Sequence, residues 1–248
     1  MKGINLERFY RGLTQNLETP VRKHLAKVYA TFTCAALTAV AGFLAHTFNS
    51  IQIRAGIMSG IGMFVSLVCL LATPYDGGKD NVQRLSLLGS FAFLTGFNLG
   101  PLLDMAVTVN PTLVMQALLG TSVVSACFSL SALYAPRAHY LYLGGVLLSL
   151  SSILFSLSLM NFFFCSRFIF EFNLYVGLGV WCTFILYDTQ YIVEMARCGD
   201  KDYVIHSLLL FINFVAVFQR LFFILMEKEE RKQRKRKRER ERERCRED

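Results

Sequence analysis

The chain has 248 residues, of which 54% are hydrophobic, and its mean hydropathy of +0.41 is well above the usual value for a soluble domain. Its net charge is +8, but residues 227–248 alone carry 12 Lys and Arg against 8 Asp and Glu, which is half of that excess. A nucleic-acid-binding function would rest on this tail alone, so no nucleic-acid partner is expected. The seven scattered cysteines lack paired spacing, so neither disulfides nor a metal site is expected.

Seven apolar runs follow one another, each roughly 20 residues long, which is the length of a bilayer-crossing helix. Short loops with turn chemistry separate them, so neighbouring helices are expected to be antiparallel. The sequence predicts an all-α integral membrane protein, with a compact bundle of six transmembrane helices and a seventh hydrophobic segment that is re-entrant or partly polar. The runs lie at residues 28–48, 55–73, 86–108, 111–134, 140–160, 169–195 and 203–226.

The Lys and Arg residues of the loops predict how the chain is oriented. With residues 1–27 in the cytosol, eleven basic residues before the seventh segment fall on the cytosolic side, and Arg54 and Arg167 fall on the far side. We therefore predict a cytosolic segment (1–27), a helical membrane domain (28–226) and a charged cytosolic tail (227–248). The alternative is seven full crossings with the N-terminus outside.

Four polar residues in the last two apolar runs are the candidate functional residues. Asp188 lies deep in the sixth run, where a carboxylate is costly unless it is paired, protonated or hydrated. His206, Asn213 and Arg220 are spaced seven residues apart and so share one helix face, which suggests a buried polar track. Arg220 could neutralise Asp188 or snorkel to the interface. His206 is expected to lie at the membrane interface, and this role is favoured over that of a titrating gate.

A further feature is the group Gly96, Gly100 and Pro101 in the third apolar run. Small residues let two helix backbones approach closely. A proline within a membrane helix kinks or breaks it and frees a carbonyl group. These three residues therefore predict an element for helix packing and bending.

Several short motifs stand in a distinctive order along the chain. They are residues 24–29 (HLAKVY), 88–103 (LGSFAFLTGFNLGPLL), 130–134 (LSALY), 142–145 (YLGG), 174–177 (LYVG) and 187–190 (YDTQ). Together they resemble the Bax inhibitor family of endoplasmic-reticulum membrane proteins, over about residues 20 to 230. The resemblance implies a multi-pass helical bundle that lets calcium leak from the reticulum, suppresses stress-induced cell death and acts in the unfolded protein response. It implies no cofactor. The implied transported ion is calcium, and the implied partners are membrane lipids and cell-death regulator proteins.

The resemblance also implies a pair of acids that senses pH and gates the calcium path. The first acid carries over to Asp188, but the second falls at Asn213, and a further family acid aligns with Leu209. Two close carboxylates can share a proton and offer two charges to calcium. Asn213 keeps only a hydrogen bond and one amide oxygen. We therefore expect weaker or absent calcium conduction and a blunted pH response.

Other functional classes are less well supported. The chain has no His-Glu-x-x-His helix, no Gly-x-Ser-x-Gly elbow and no phosphate-binding glycine loop, so an enzyme is not expected. A small-molecule transporter would predict inverted repeats, and none is evident. The alternative to a calcium leak is a non-conducting membrane regulator that acts through protein or lipid contacts, which Asn213 and the charged tail favour.

Overall fold

The computed structural model describes residues 18–48, 52–75, 81–136 and 139–247. Regular structure in these ranges is entirely helical, which confirms the all-α prediction. Six of the helices are long and apolar enough to cross a membrane, and a shorter apolar stretch covers Gly56–Ala72. The helices are α1 (Thr19–Phe48), α2 (Gln52–Ala72), α3 (Asn81–Val109), α4 (Thr112–Tyr134), α5 (Gly144–Phe164), α6 (Arg167–Arg197) and α7 (Tyr203–Glu247), with a 3₁₀ turn at Leu141–Leu143.

Each predicted apolar run forms one of these helices, and two boundaries differ from the prediction in an informative way. Helix α1 begins at Thr19, nine residues before the predicted run, because its first turns are packed inside the bundle through Val21 and Leu25. Helix α7 continues to Glu247, so the predicted boundary at residue 226 falls within an unbroken helix. Hydropathy marks where a helix enters lipid, whereas the helix itself continues as long as its backbone hydrogen bonds are made.

Helix α7 lies at the centre of the bundle, in contact with α1, α3, α4 and α6. Near its start, Leu208 and Phe211 pack with α1 and α3 in one hydrophobic cluster. Further along, Val217 packs against α6, and Phe218 and Phe222 pack against α3 and α4. The surrounding helices shield α7 from lipid, and this explains how it can carry polar side chains along its membrane-length stretch.

The two ends of the bundle can be identified from contacts between distant residues. His24 near the start of α1 contacts His206 in the first turn of α7, and we call this the His206 end. At the opposite end, which we call the Glu171 end, Glu171 at the start of α6 pairs with Arg231 of α7. The start of α1 and the charged part of α7 therefore lie at opposite ends of the bundle.

This arrangement bears on the seventh segment. No reversal interrupts α7 between Tyr203 and Glu247, so the segment is the partly polar helix of the two predicted forms and not a re-entrant turn. A cytosolic tail together with a cytosolic segment 1–27 would require that α7 does not cross the bilayer. The side of the membrane on which the tail and segment 1–27 lie stays a prediction. Residues 1–17 lie outside the described part of the chain.

The small residues of α3 lie at its contact with α1. Gly96 faces the backbone of Ala39, and a methyl group at Gly96 would overlap that backbone. Gly100 faces the ring of His46, which a methyl group would also overlap. Helix α3 continues through Pro101 to Val109, so the proline does not break the helix.

Candidate functional site

Asp188 on α6 and Asn213 on α7 meet inside the bundle. Asn213 donates a hydrogen bond of 2.7 Å from Nδ2 to Oδ2 of Asp188. The two side chains are only 8% and 3% exposed. Helices α6 and α7 are antiparallel and joined by the short turn 198–202, so residues about equally far from the turn face each other. Asp188 lies 12 residues before Asp200, and Asn213 lies 13 residues after it.

A cavity of about 400 Å³ reaches this pair from the His206 end. It begins at Asp200, whose side chain is 43% exposed, and extends to the buried Asp188. The cavity is lined by Tyr187, Asp188, Tyr191, Asp200, Asp202, Ile205, His206 and Leu209. Three of these residues are acids, and a cleft lined by one sign of charge raises the local concentration of the opposite ion.

One of the three acids is neutralised by an arginine that the sequence analysis did not single out. Arg84 on α3 is 2% exposed, and its Nη2 donates to Oδ2 of Asp202 over 2.6 Å. The guanidinium also lies 5.6 Å from the centre of the Tyr75 ring. Asp188 and Asp200 are thus the lining acids that no arginine or lysine pairs with among the described residues.

His206, which lines the cavity, contacts a second histidine. Nδ1 of His206 lies 2.9 Å from Nε2 of His24, and both rings are buried. One of these two nitrogens must donate a proton and the other must accept it, so the contact excludes a state in which both rings are fully protonated. Asp200 lies 4.0 Å from Nε2 of His206. His206 is therefore buried in the cavity wall, and its expected position at the membrane interface stays a prediction.

Arg220 lies away from Asp188. It is two helical turns beyond Asn213, where its guanidinium is 5.3 Å from the centre of the Trp181 ring and donates from Nη1 to the carbonyl of Ala216 over 3.2 Å. Of the two roles predicted for Arg220, the neutralisation of Asp188 is not found, because the register of α6 and α7 places Arg220 beside Trp181. The structure thus brings Asp188 and His206 to one cavity, places Asn213 in contact with Asp188, and leaves Arg220 out.

Gln190, two residues after Asp188, has a separate role. Its Oε1 accepts a hydrogen bond from the backbone N–H of Tyr140 over 2.6 Å. Its Nε2 donates to the carbonyls of Ala132 and Pro136, each over 3.2 Å. The side chain therefore ties the connection between α4 and α5 to α6 and supports the helix that carries Asp188.

Sequence analysis missed Arg84, Asp200 and Asp202 as members of the site. Asp202 carries a signal that the sequence shows, because it stands just before an apolar helix. Its Oδ1 accepts from the backbone N–H of Ile205 over 3.2 Å, as an N-cap side chain does. In the described residues no three or more His, Cys, Asp or Glu side chains are grouped to hold a resident metal ion.

Comparisons with known proteins place these features in a family. The family model described as "Inhibitor of apoptosis-promoting Bax1" matches residues 21–230, which include Asp188, Asn213 and the cavity. Bax inhibitor 1 of Homo sapiens is 46% identical over 209 residues, covering 84% of this chain and 87% of that protein. Bax inhibitor 1 of Drosophila melanogaster is 41% identical over 223 residues, covering 90% of each chain.

A plant protein shows similarity of nearly the same extent. Bax inhibitor 1 of Arabidopsis thaliana is 39% identical over 214 residues, covering 86% of this chain and 84% of that protein. The match of the family model to most of the chain and the high coverage of these relatives agree with the membrane-length helices of the fold. The chain therefore belongs to the Bax inhibitor family of multi-pass helical membrane proteins.

Proposed function

We propose that this protein acts in the endoplasmic-reticulum membrane to suppress stress-induced cell death, and that it modulates reticulum calcium through the cavity at Asp188. Family membership and the relatives named Bax inhibitor 1 support the first part of the proposal. The acidic lining of the cavity supports the second part. Carboxylate oxygens are the ligands that Ca²⁺ prefers, and several can act in turn on a passing ion without forming a permanent site.

The observation that carries the calcium role is the position of Asp188 between a cavity and a hydrogen-bonding partner. Asp188 lines the cavity, while Asn213 occupies its Oδ2. An amide cannot share a proton with a carboxyl group in the way that a second acid does. The pair therefore offers one negative charge to calcium, and the leak is weak and responds less to pH than a leak gated by two acids.

A non-conducting regulator is the second candidate, because two features reduce the pull on a cation. Arg84 neutralises Asp202, and Leu209 contributes an apolar side chain to the lining. In this case the protein acts through contacts with proteins or lipids, and the cavity is a remnant of an ion path.

Calcium efflux from liposomes that contain the purified protein separates the two candidates. We expect a small efflux from the wild type that Asp188→Ala abolishes, and a larger, pH-dependent efflux from Asn213→Asp. Glu194→Ala is the matched control, because Glu194 is an acid of the same helix that lies outside the cavity and pairs with Arg197. No efflux from the wild type, together with efflux from Asn213→Asp, would establish the non-conducting regulator.

A further inference from the structure

A second cavity, of about 380 Å³, lies near the Glu171 end between α5, α6 and α7, away from the cavity at Asp188. We propose that it binds the headgroup of an anionic glycerophospholipid, with Arg220 contacting the phosphate. We call this cavity the Arg220 cleft. Its polar lining consists of Ser158, Asn161, Asn173, Gln219 and Arg220. The inference is independent of whether the protein conducts calcium.

The positive charge of Arg220 is not balanced by an ion pair within the described residues. Its Nε is buried and has no hydrogen-bond partner among the described residues. In the part of the chain that the structure describes, no carboxylate forms an ion pair with this guanidinium, whose contacts are the Trp181 ring and the carbonyl of Ala216. A charged side chain within a membrane-length helix is costly unless it is paired or hydrated. An anion in the cleft would supply the missing counter-charge, and a guanidinium fork matches the geometry of a phosphate.

Helix α6 leaves room for the guanidinium of Arg220. Gly177 lies against Nε of Arg220, and a methyl group at that position would overlap it. Trp181, one turn further along α6, provides the ring on which the guanidinium rests. The arginine is therefore held in place on one side by a glycine and an aromatic ring, and its other side borders the cleft.

A headgroup in the cleft would meet the polar groups of Asn173 and Asn161. Asn173 is already engaged, because its Nδ2 donates to Ser158 Oγ over 2.5 Å and to the carbonyl of Leu154 over 3.2 Å. Asn161 differs, since its Oδ1 is buried and no described residue is a hydrogen-bond partner for it. A ligand that complements the cleft carries negative oxygens for Arg220 and an N–H or O–H donor for Asn161. Glycerol, serine and inositol headgroups provide such donors, whereas a choline headgroup does not.

The surroundings of the cleft favour a lipid over a soluble anion. The cleft is edged by Phe162, Phe170 and Phe223, and the first two of these are 79% and 44% exposed. Arg220 lies seven residues before Glu227, which is about 10 Å along the helix axis. Glu227 pairs with Arg167 and Arg231 at the Glu171 end. A headgroup in the cleft would thus sit just inside this charged rim, with its acyl chains against the phenylalanines.

The protein contains a built-in reporter for this site. Trp181 is its only tryptophan, and it is stacked on Arg220. Full-length protein in detergent micelles would be titrated with phosphatidylglycerol, phosphatidylcholine and soluble glycerol phosphate while Trp181 fluorescence is recorded. We expect a saturable change with phosphatidylglycerol, clearly weaker binding of phosphatidylcholine, and no binding of glycerol phosphate at the same concentrations. Equal binding of glycerol phosphate would overturn the assignment to a lipid.

Variants test the residues, with lipid retention in native mass spectrometry as a second readout that does not depend on fluorescence. Arg220→Gln should weaken phosphatidylglycerol binding about ten-fold or more, because a charge-assisted hydrogen bond contributes at least that factor. Arg167→Gln is the control, because it changes an exposed arginine at the same end. It should change phosphatidylglycerol binding less than about two-fold. Asn161→Leu should also weaken binding, and it carries the test if Arg220→Gln does not fold. Unchanged binding in Arg220→Gln and Asn161→Leu, or an equal loss in Arg167→Gln, would overturn the proposal.

Discussion

Asn213 Nδ2 lies 2.7 Å from Asp188 Oδ2, and this contact joins the two helices at the centre of the bundle. Asn213 is buried, and Asp188 meets solvent only through the cavity, so the hydrogen bond between them is largely shielded from water. The hydrogen bond thus stabilises the fold and also sets how much charge Asp188 presents to the cavity. The two roles can be separated by measuring stability and calcium efflux on the same variants.

We expect Asn213→Leu to lower the free energy of unfolding by about 1–3 kcal/mol, because it leaves the buried Asp188 without its donor. Asp188→Leu combined with Asn213→Leu should cost less than the sum of the two single changes, because both polar groups are then removed together. Thermal or denaturant unfolding of the purified protein in detergent measures all three variants. Strictly additive effects would show that the hydrogen bond contributes nothing to stability.

The same position is expected to control the pH response. Asn213→Asp would place two carboxyl groups within hydrogen-bonding distance, and such a pair shares a proton because both cannot ionise cheaply. Calcium efflux from this variant should therefore vary several-fold across the neutral pH range, whereas that of the wild type should vary less. The measurement is efflux from liposomes at a series of pH values. Equal pH profiles for the two proteins would contradict the role given to Asn213.

The buried pair of Arg84 and Asp202 should contribute strongly to the integrity of the His206 end. Asp202→Asn leaves a guanidinium that is 2% exposed without its counter-charge, and we expect a loss of about 3–5 kcal/mol in stability. Glu171→Gln is the control, because it alters an ion pair with the exposed Arg231 and should cost at most about 1 kcal/mol. Unfolding curves in one detergent provide the comparison. Similar losses for the two variants would argue against a special role for the buried pair.

Two glycines of α3 provide a matched test of the α1–α3 contact. Gly96→Ala introduces a methyl group that overlaps the backbone of Ala39, so we expect a loss of about 1–3 kcal/mol. At Gly89 nothing lies within 4 Å of an added methyl group, so Gly89→Ala should be neutral or stabilising by up to about 1 kcal/mol. The midpoint of thermal unfolding of each variant checks the prediction, and a stable Gly96→Ala protein would show that α1 and α3 can move apart without loss.

Two exposed cysteines at opposite ends of α6 test the direction of the last two helices. Cys165 lies two residues before the start of α6 at Arg167, and Cys198 immediately follows the end of α6 at Arg197. Helix α6 has 31 residues and is therefore about 46 Å long, which exceeds the hydrocarbon thickness. In sealed vesicles, an impermeant maleimide should label single-cysteine variants carrying Cys165 or Cys198 from opposite sides.

A tag on the charged tail extends this experiment to α7. Arg231 pairs with Glu171 near Cys165, so a tag after α7 should be accessible from the same side as Cys165. Accessibility from the side of Cys198 would mean that α7 does not cross the membrane, and would support the predicted pair of cytosolic termini.

The sequence by itself determined the seven apolar helices that the structure describes and identified Asp188 and Asn213 as the residues to examine. A membrane imposes a length on each apolar run and a cost on each charge within it, and both are properties of a short stretch that can be recognised locally. The prediction was less successful at the limits of α1 and α7, where packing and helix continuity extend beyond the apolar residues.

Only the tertiary structure decided which polar groups meet. His24 and His206 are 182 residues apart, and Arg84 and Asp202 are 118 residues apart. Arg220 shares a helix face with Asn213 but lies against Trp181. Such contacts depend on the order, rotation and register of whole helices, and the hydrophobic pattern leaves these open because lipid-facing and buried faces of a membrane helix are both apolar.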